Sequence, residues 1–148
     1  MQALEITSEN WNRGVVVQGF PVPPINAFLG GELISHDPEQ GVIRVSFPTK
    51  PEHANPAGFV MGGITSAFLD HIPGPLAVAA TGGTASPVTL DIHVTYFKPV
   101  PIGPRAIAEA RIDRMTKSTI FTTAYILGDK GEILVRAIQT AMLKPARA

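Results

Sequence analysis

One long apolar segment, residues 64–80, most constrains what this chain can fold into. It is rich in Ala, Leu and Ile and lacks the alternation of apolar and polar residues that is typical of a strand. Its start is apolar on nearly every side, which is typical of a helix inside a core. Because Pro73 and Pro75 each remove an amide donor and crowd the preceding turn, we predict a kink or break after Asp70.

The remainder of the chain after residue 30 has mostly strand character. Two alternating runs, residues 32–36 and 42–47, flank turn residues and predict a hairpin. Four further strands are expected at residues 88–97, 105–114, 119–127 and 132–143. The turn at residues 128–131, Gly-Asp-Lys-Gly, is a strong hairpin signal. We therefore expect an α+β fold in which a largely antiparallel sheet buries one face on a single helix.

The length of 148 residues fits one domain, so we assign residues 1–148 to a single unit. Residues 1–29 are expected to form an arm that lies on this domain. A short helix is predicted around residues 8–11, followed by a proline-rich piece at residues 21–24 that cannot be the interior of a regular helix.

Composition excludes several classes of function. The formal net charge is zero and no basic cluster is present, so nucleic acid is not an expected partner. The absence of cysteine excludes disulfides and thiolate chemistry. No stretch approaches the roughly 20 apolar residues that span a bilayer, and no signal peptide is visible, so we expect a cytoplasmic protein without membrane contact. Charged residues make up only 16%, which suggests that another subunit covers part of the surface.

Asp70 is the first candidate for chemistry, because it lies two turns inside an apolar helix. A charge flanked by Phe68, Leu69 and Ile72 is costly unless it is paired or used. The alternative is an ordinary aspartate on a helix surface. Gly62 and Gly63 precede the helix and either form a tight turn or offer free amides to a developing oxyanion.

These residues resemble the signature of the hotdog-fold acyl-CoA thioesterases, specifically the phenylacetate-pathway branch. That signature reads Asn, two residues, Gly, two residues, His-Gly-Gly, six residues and Asp. Here every spacing is kept by Asn55, Gly58, Met61, Gly62, Gly63 and Asp70. The resemblance extends over residues 30–144 and implies a hotdog fold, in which a curved antiparallel sheet wraps a long central helix. It also implies hydrolysis of a small or medium acyl-CoA, including aromatic ones.

The resemblance assigns roles to four catalytic candidates. Asp70 would be the general base or nucleophile, and the Gly62 amide would polarise the thioester carbonyl. Asn55 would orient the attacking water or the substrate, and Thr89 would position water. In this family the pocket lies between two subunits, which implies a homodimer or homotetramer with Asp70 from one chain and Asn55 with Gly62 from the other.

Four further residues are candidates for substrate binding: Met61 and Gly63 at the helix start, and Lys117 and Ser118 at a turn that contacts CoA in this family. A solvated hairpin tip is the other interpretation of that turn. Met61 replaces the usual His of the signature, and methionine cannot donate a hydrogen bond to a carbonyl. If not functional, Met61 would be a residue that fills a gap in the core. No cofactor is expected, since CoA is part of the substrate.

Two other functions are also compatible with the sequence. The replacement at Met61 and the prolines after Asp70 are compatible with a non-catalytic hotdog protein that binds acyl-CoA. A hotdog hydratase or dehydratase usually needs a His paired with an acidic residue, and no suitably spaced pair is visible. His71 is predicted to be packed or at a dimer contact. His93 is predicted to face away from the helix, on a strand where Leu90, Ile92 and Val94 would face it. We expect no metal site.

Overall fold

The computed structural model describes residues 2–13 and 22–146. Its helices are α1 (Ser8–Asn12), α2 (Pro24–Leu29), α3 (Gly62–His71) and α4 (Pro73–Ala80), with a short 3-10 helix at Pro51–His53. Its strands are β1 (Glu32–Asp37), β2 (Val42–Phe47), β3 (Ala85–Tyr96), β4 (Ala106–Met115), β5 (Thr119–Leu127) and β6 (Ile133–Pro145). None of the helices in these residues is long and apolar enough to cross a membrane.

The six strands form one antiparallel sheet in the order β1-β2-β4-β5-β6-β3. The sheet curves around α3 and α4, so the predicted hotdog fold is confirmed. Strands β1 and β3 lie at the two edges of the sheet, where backbone groups are left without a partner strand on one side.

The core lies between the sheet and the two central helices. Phe68, Leu69 and Ile72 are completely buried. The Phe68 ring stacks on the Phe47 ring of β2 with a centroid distance of 4.4 Å. Small residues on β4, among them Ala108 and Ala110, are also fully buried. This packing buries the face of α3 that carries Phe68 and Leu69 and leaves Asp70 exposed.

The helix breaks where the prolines predict. α3 ends at His71 and α4 begins at Pro73, which occupies the first turn of the new helix, where a missing amide donor costs little. The hydrogen bonds on either side are long, 3.4 Å from the Ile72 amide to Phe68 and 3.5 Å from the Leu76 amide to Ile72. The structure therefore confirms the predicted break after Asp70, and α3 starts two residues before the predicted segment.

A β-bulge in β3 changes which side chains face the helix. The pairing with β6 shifts between Thr89 and Asp91, which leaves Leu90 as the extra residue. Thr89 pairs with Ala141 and Ile92 pairs with Gln139, and both Ala141 and Gln139 are buried on the helix side. The prediction that Leu90 faces the helix is wrong: 62% of its surface is exposed, because the bulge interrupts the alternation there.

On the far side of the bulge the predicted alternation holds. Ile92 and Val94 pack against the core, and His93 is exposed on the opposite face, as predicted. Before the bulge, the odd-numbered residues face the helix and the even-numbered ones face away, so that Thr89 faces the helix and Val88 is exposed. The bulge therefore turns Thr89 toward α3.

The N-terminal segment packs on the sheet and helices. The predicted short helix is present as α1, and its Trp11 is buried, with Nε1 donating to the Gly31 carbonyl at 2.9 Å. Ile6 is also buried, and its amide donates to Nδ1 of His36 at 2.9 Å. In the predicted proline-rich piece, Pro24 is the first residue of α2, a position that suits proline, whereas Pro21 lies outside the described residues.

Candidate functional site

Asp70 lies in the last turn of α3 and is exposed, which corrects the expectation of an aspartate enclosed by apolar neighbours. The flanking Phe68 and Leu69 point into the core, whereas the carboxylate points toward β3 and β6. Its Oδ1 accepts a hydrogen bond from Thr89 Oγ1 at 3.1 Å and another from Gln139 Nε2 at 2.6 Å. Within residues 2–13 and 22–146, Oδ2 has no hydrogen-bond partner and is left for other chemistry.

Gln139 was not predicted from the sequence, although a signal for it exists. The inward-facing positions of β6 are otherwise small or apolar and buried: Val135, Ala137, Ala141 and Leu143. A glutamine in such a row is unusual, since a buried amide needs a hydrogen-bond partner. Asp70 is that partner, 69 residues away in the sequence.

The N-terminus of α3 presents free backbone amides. Met61 precedes the helix without a side-chain cap, and the amides of Ile64 and Thr65 both bond to the Met61 carbonyl. The Gly62 and Gly63 amides have no hydrogen-bond partner in the described part of the chain. Such amides, together with the helix dipole, favour a negatively charged oxygen. The Met61 side chain is 51% exposed and lies against Gly63, so it does not fill a gap in the core.

Tyr96, at the end of β3, covers this helix start and was not predicted. Its hydroxyl donates to the Gly62 carbonyl at 3.0 Å. Because that hydroxyl has only one hydrogen, Ser66 Oγ is the donor in the 2.5 Å contact between Ser66 and Tyr96. A side chain at Gly62 would meet the Tyr96 ring at 3.0 Å, so glycine is needed for this close approach.

Asn55 shapes the loop before α3. Its Oδ1 accepts hydrogen bonds from the amides of Ala57 at 3.0 Å and Phe59 at 3.1 Å. Between them, Gly58 has a φ of +86°, which favours glycine. The structure therefore gives Asn55 a visible part in the loop that leads to Gly62, and its predicted contact with water or substrate stays a prediction.

A cavity of about 400 Å³ lies beside the start of α3. Its lining is mostly apolar and includes Asn55, Phe59, Val60, Gly62, Thr65, Tyr96, Phe97, Val100 and Val135. Asp70 does not line this cavity. Asp70 follows Gly62 by eight positions in the helix, which corresponds to about 12 Å along the axis. One chain thus carries the two halves of the predicted site at opposite ends of the same helix.

Lys117 and Ser118 occupy the exposed turn between β4 and β5, as the sequence predicts. Thr116 Oγ1 accepts from the amides of Ser118 and Thr119, at 3.4 and 3.0 Å, and the Ser118 carbonyl accepts from Leu143 at 2.8 Å. Through the pairing of β5 with β6 and β3, this turn lies at the end of the sheet near Thr89. It is therefore closer to the Asp70 half of the site than to the Gly62 half.

His71 does not act as the imidazole missing at position 61. Its ring packs edge-on against Trp11 and Phe47, with centroid distances of 6.1 and 6.2 Å. Burial lowers the pKa of His71, and the neighbouring Asp70 opposes this effect. The prediction of a packed histidine is confirmed. In the residues that the structure describes, no group of three or more His, Cys, Asp and Glu could hold a metal ion.

A curved antiparallel sheet around a central helix, with free amides at the helix start and a carboxylate two turns on, defines a hotdog protein of the thioesterase type. The comparison with protein families agrees. The thioesterase superfamily model matches residues 57–134, which is just over half of the 148-residue chain, and the chain belongs to that superfamily.

The chain is similar in sequence to proteins named acyl-coenzyme A thioesterase and in structure to a phenylacetic acid degradation-related protein. Mouse acyl-coenzyme A thioesterase 13 is 29% identical over 112 residues, which cover 75% of this chain and 78% of that protein. Its human counterpart is 29% identical over 91 residues, covering 62% of this chain and 63% of its own length. A phenylacetic acid degradation-related protein from Ralstonia eutropha superposes with a TM-score of 0.79 at 27% identity, covering 90% of this chain and 97% of that structure.

Proposed function

We propose that this protein hydrolyses acyl-CoA thioesters to a free acid and CoA. The observation that carries the proposal is a pair of features on α3: the amides of Gly62 and Gly63 and one oxygen of the Asp70 carboxylate, all without a hydrogen-bond partner among the described residues. The first suits the oxygen of a thioester carbonyl as it becomes negative. The second suits the activation of water.

In this mechanism, Asp70 Oδ2 takes a proton from water as the water oxygen bonds to the thioester carbon. The carbonyl oxygen becomes an oxyanion that the Gly62 amide stabilises. Collapse of this intermediate breaks the C–S bond, and the proton held by Asp70 passes to the leaving thiolate. Thr89 donates a hydrogen bond to the other carboxylate oxygen, Oδ1. We therefore propose that Thr89 positions the water indirectly, by holding Asp70. Direct attack by the carboxylate, with later hydrolysis of an anhydride, is the alternative for the same residue.

The distance between the two halves supports a site shared by two chains. The amide must lie about 3 Å from the carbonyl oxygen and the base about 3 Å from the water that attacks the same carbonyl, whereas about 12 Å of helix separates Gly62 from Asp70 in one chain. A second copy can bring its Gly62 and Asn55 to the Asp70 of the first. The protein is therefore proposed to be a homodimer, or a homotetramer built from such dimers.

Exposed apolar side chains at the β3 edge support the same assembly. Val88, Leu90 and Tyr96 are 41%, 62% and 52% exposed on a twelve-residue edge strand. A long edge with apolar side chains needs cover in a soluble protein. Pairing of β3 with β3 of a second copy would provide that cover near Thr89 and Asp70.

The cavity beside Gly62 supports a proposal for the substrate class. Its volume of about 400 Å³ and its Phe59, Phe97 and Val135 side chains suit a small or medium acyl group, including an aromatic one. Lys117 and Ser118 are proposed to contact the CoA part, because the exposed turn offers a cation and a hydroxyl near the Asp70 half. Met61 and Gly63 are proposed to line the acyl entrance. The proposed setting is the cytoplasm.

Thiol release from a panel of acyl-CoAs tests the proposal. The panel should run from acetyl-CoA through medium chains to phenylacetyl-CoA, with free CoA detected by a thiol reagent and the Asp70→Asn variant as control. Turnover by the wild type that the variant lacks supports hydrolysis. Tight binding of acyl-CoA without thiol release would instead identify a binding protein. Hydration of an enoyl-CoA added to the panel, followed by loss of its conjugated absorbance and without thiol release, would identify a hydratase.

A further inference from the structure

Gln139 is a buried polar side chain whose position is explained by neither the core nor the family signature. It is 4% exposed and lies on the helix-facing side of β6, among alanine, valine and leucine side chains. Burial of an amide is costly unless the amide is hydrogen-bonded. Gln139 meets this requirement through a hydrogen bond to the candidate base: its Nε2 donates to Asp70 Oδ1 at 2.6 Å.

The arrangement around Asp70 is asymmetric. Thr89 approaches from β3 and Gln139 from β6, and both donate to the same oxygen, Oδ1. Two donors from neighbouring strands hold the carboxylate at a fixed rotation, because a turn about the Cβ–Cγ bond would break both hydrogen bonds. Oδ2 is then directed away from the sheet, without a partner in the described residues.

We propose that Gln139 is a positioning residue that orients Asp70, so that Oδ2 is the oxygen that accepts the proton of water. This inference rests on the proposed function of Asp70 and deepens it. The side chain must act as a donor, since a carboxylate oxygen accepts, and this fixes the orientation of the amide. Leucine at this position would fill similar space but could not donate to an ionised Asp70, and glutamate could donate only while it is protonated.

The test compares Gln139→Leu and Gln139→Glu with the control Thr122→Val. Thr122 is a matched neighbour: it lies directly opposite Gln139 on β5, is 2% exposed, and its hydroxyl has no partner in the described residues. Gln139→Leu should lower kcat by about 10- to 100-fold, the range expected when a reacting group is misplaced by up to about 1 Å. KM should change by less than about threefold, because the acyl group and CoA are held elsewhere.

Two further results separate positioning from packing. Gln139→Glu should be slower than Gln139→Leu at neutral pH, because two carboxyl groups at hydrogen-bond distance share one proton and the pair is then a poorer base for water. Thr122→Val should keep the wild-type kcat. In 13C-labelled protein, the Asp70 13Cγ resonance, assigned by its loss in Asp70→Asn, should move in Gln139→Leu and stay in place in Thr122→Val.

The Asp70 13Cγ resonance reports on the contact with Gln139 even in a protein that does not turn over substrate. If the wild type releases no thiol, the proposed function fails and the catalytic part of the inference fails with it. A moved resonance would then support only the orientation of Asp70 by Gln139, and an unmoved one would contradict that as well. If the wild type is active, folded Gln139→Leu protein with wild-type kcat overturns the inference. Equal losses of kcat in Gln139→Leu and Thr122→Val would also overturn it, because they would indicate a general effect on packing.

Discussion

The Tyr96 ring lies against Gly62 and its hydroxyl donates to the Gly62 carbonyl at 3.0 Å, so one aromatic residue covers the start of the central helix. Gly62→Ala should therefore displace the Tyr96 ring, since the new methyl group would lie 3.0 Å from two ring atoms. We expect a loss of about 1 kcal/mol in the free energy of unfolding and a fall of about tenfold in kcat/KM, as the amide moves from its place. Thermal melts and the thiol assay measure both effects.

Gly74 provides the control for that substitution. It is also a helical glycine, in α4, but among the described residues nothing beyond its own helix backbone and its two chain neighbours lies within 4 Å of an added Cβ. Gly74→Ala should keep the free energy of unfolding within about 0.5 kcal/mol of the wild type, because the lower backbone entropy cost of alanine in a helix is offset by crowding between the new Cβ and the following Pro75. If the two variants changed stability alike, the contact between Tyr96 and Gly62 would have no energetic importance.

Asp70→Asn separates the chemistry at position 70 from the packing of α3. The asparagine oxygen can still accept from Thr89 and Gln139, and the side chain is exposed, so the melting temperature should be nearly unchanged. Without a general base, kcat should fall by a factor on the order of 10² or more. An Asp70→Asn variant with wild-type kcat would exclude Asp70 as the base.

Much of the fold could be predicted because its causes are local. Pro73 and Pro75 act on their own turn, so the break in the helix is visible in the sequence. The turn at residues 128–131 likewise sets a hairpin by itself. The resemblance to the family signature implied that Asn55 and Gly62 belong to one site, which stays a prediction, and in the structure both residues line the same cavity.

The parts that escaped prediction depend on distant partners. Leu90 continues an apolar alternation with Ile92 and Val94, and only the pairing of β3 with β6 reveals the bulge that exposes it. Gln139 gave a weak signal as a polar residue in an apolar row, but its partner is 69 residues away. The contact of Tyr96 with Gly62 spans 34 residues and leaves no periodic trace.

His36 makes stability depend on pH through the N-terminal segment. Its Nδ1 accepts from the Ile6 amide at 2.9 Å, which requires the neutral ring. Burial lowers the pKa of His36 below its ordinary value of 6.5, although Glu5 and Asp37 act in the opposite direction. Since the folded-state pKa is lowered, this stabilisation is present above pH 6.5 and is lost as pH falls through the folded-state value.

The melting temperature should therefore decrease as the pH is lowered from about 7 to about 5. In His36→Gln, the side-chain oxygen can still accept from Ile6 but does not titrate, so the decrease should be smaller. His71, whose pKa is also lowered by burial, accounts for a remaining slope. Identical slopes in wild type and His36→Gln would contradict a role for His36.

The two edge strands offer a matched test of the proposed dimer. Leu90 in β3 and Ile34 in β1 are each the extra residue of a bulge, and they are 62% and 50% exposed. Lysine on an edge strand opposes pairing between chains. Leu90→Lys should shift sedimentation toward the monomer and reduce thiol release in parallel, whereas Ile34→Lys should do neither. A wild type that sediments as a monomer at micromolar concentration would exclude a shared site.

Met61→His restores the residue that the family signature has at this position. The Met61 side chain is 51% exposed beside Gly63, so an imidazole there would remain in contact with solvent and would not be buried without a partner. We therefore expect little change in melting temperature. The added donor should raise kcat/KM by about tenfold, since one donor to a developing oxyanion is typically worth 10²–10³ in rate and a new donor is imperfectly placed. Binding of a non-hydrolysable acyl-CoA should change less than the rate does. Met61→Gln tests whether any donor suffices, and an unchanged rate in both variants would show that position 61 does not contact the reacting carbonyl.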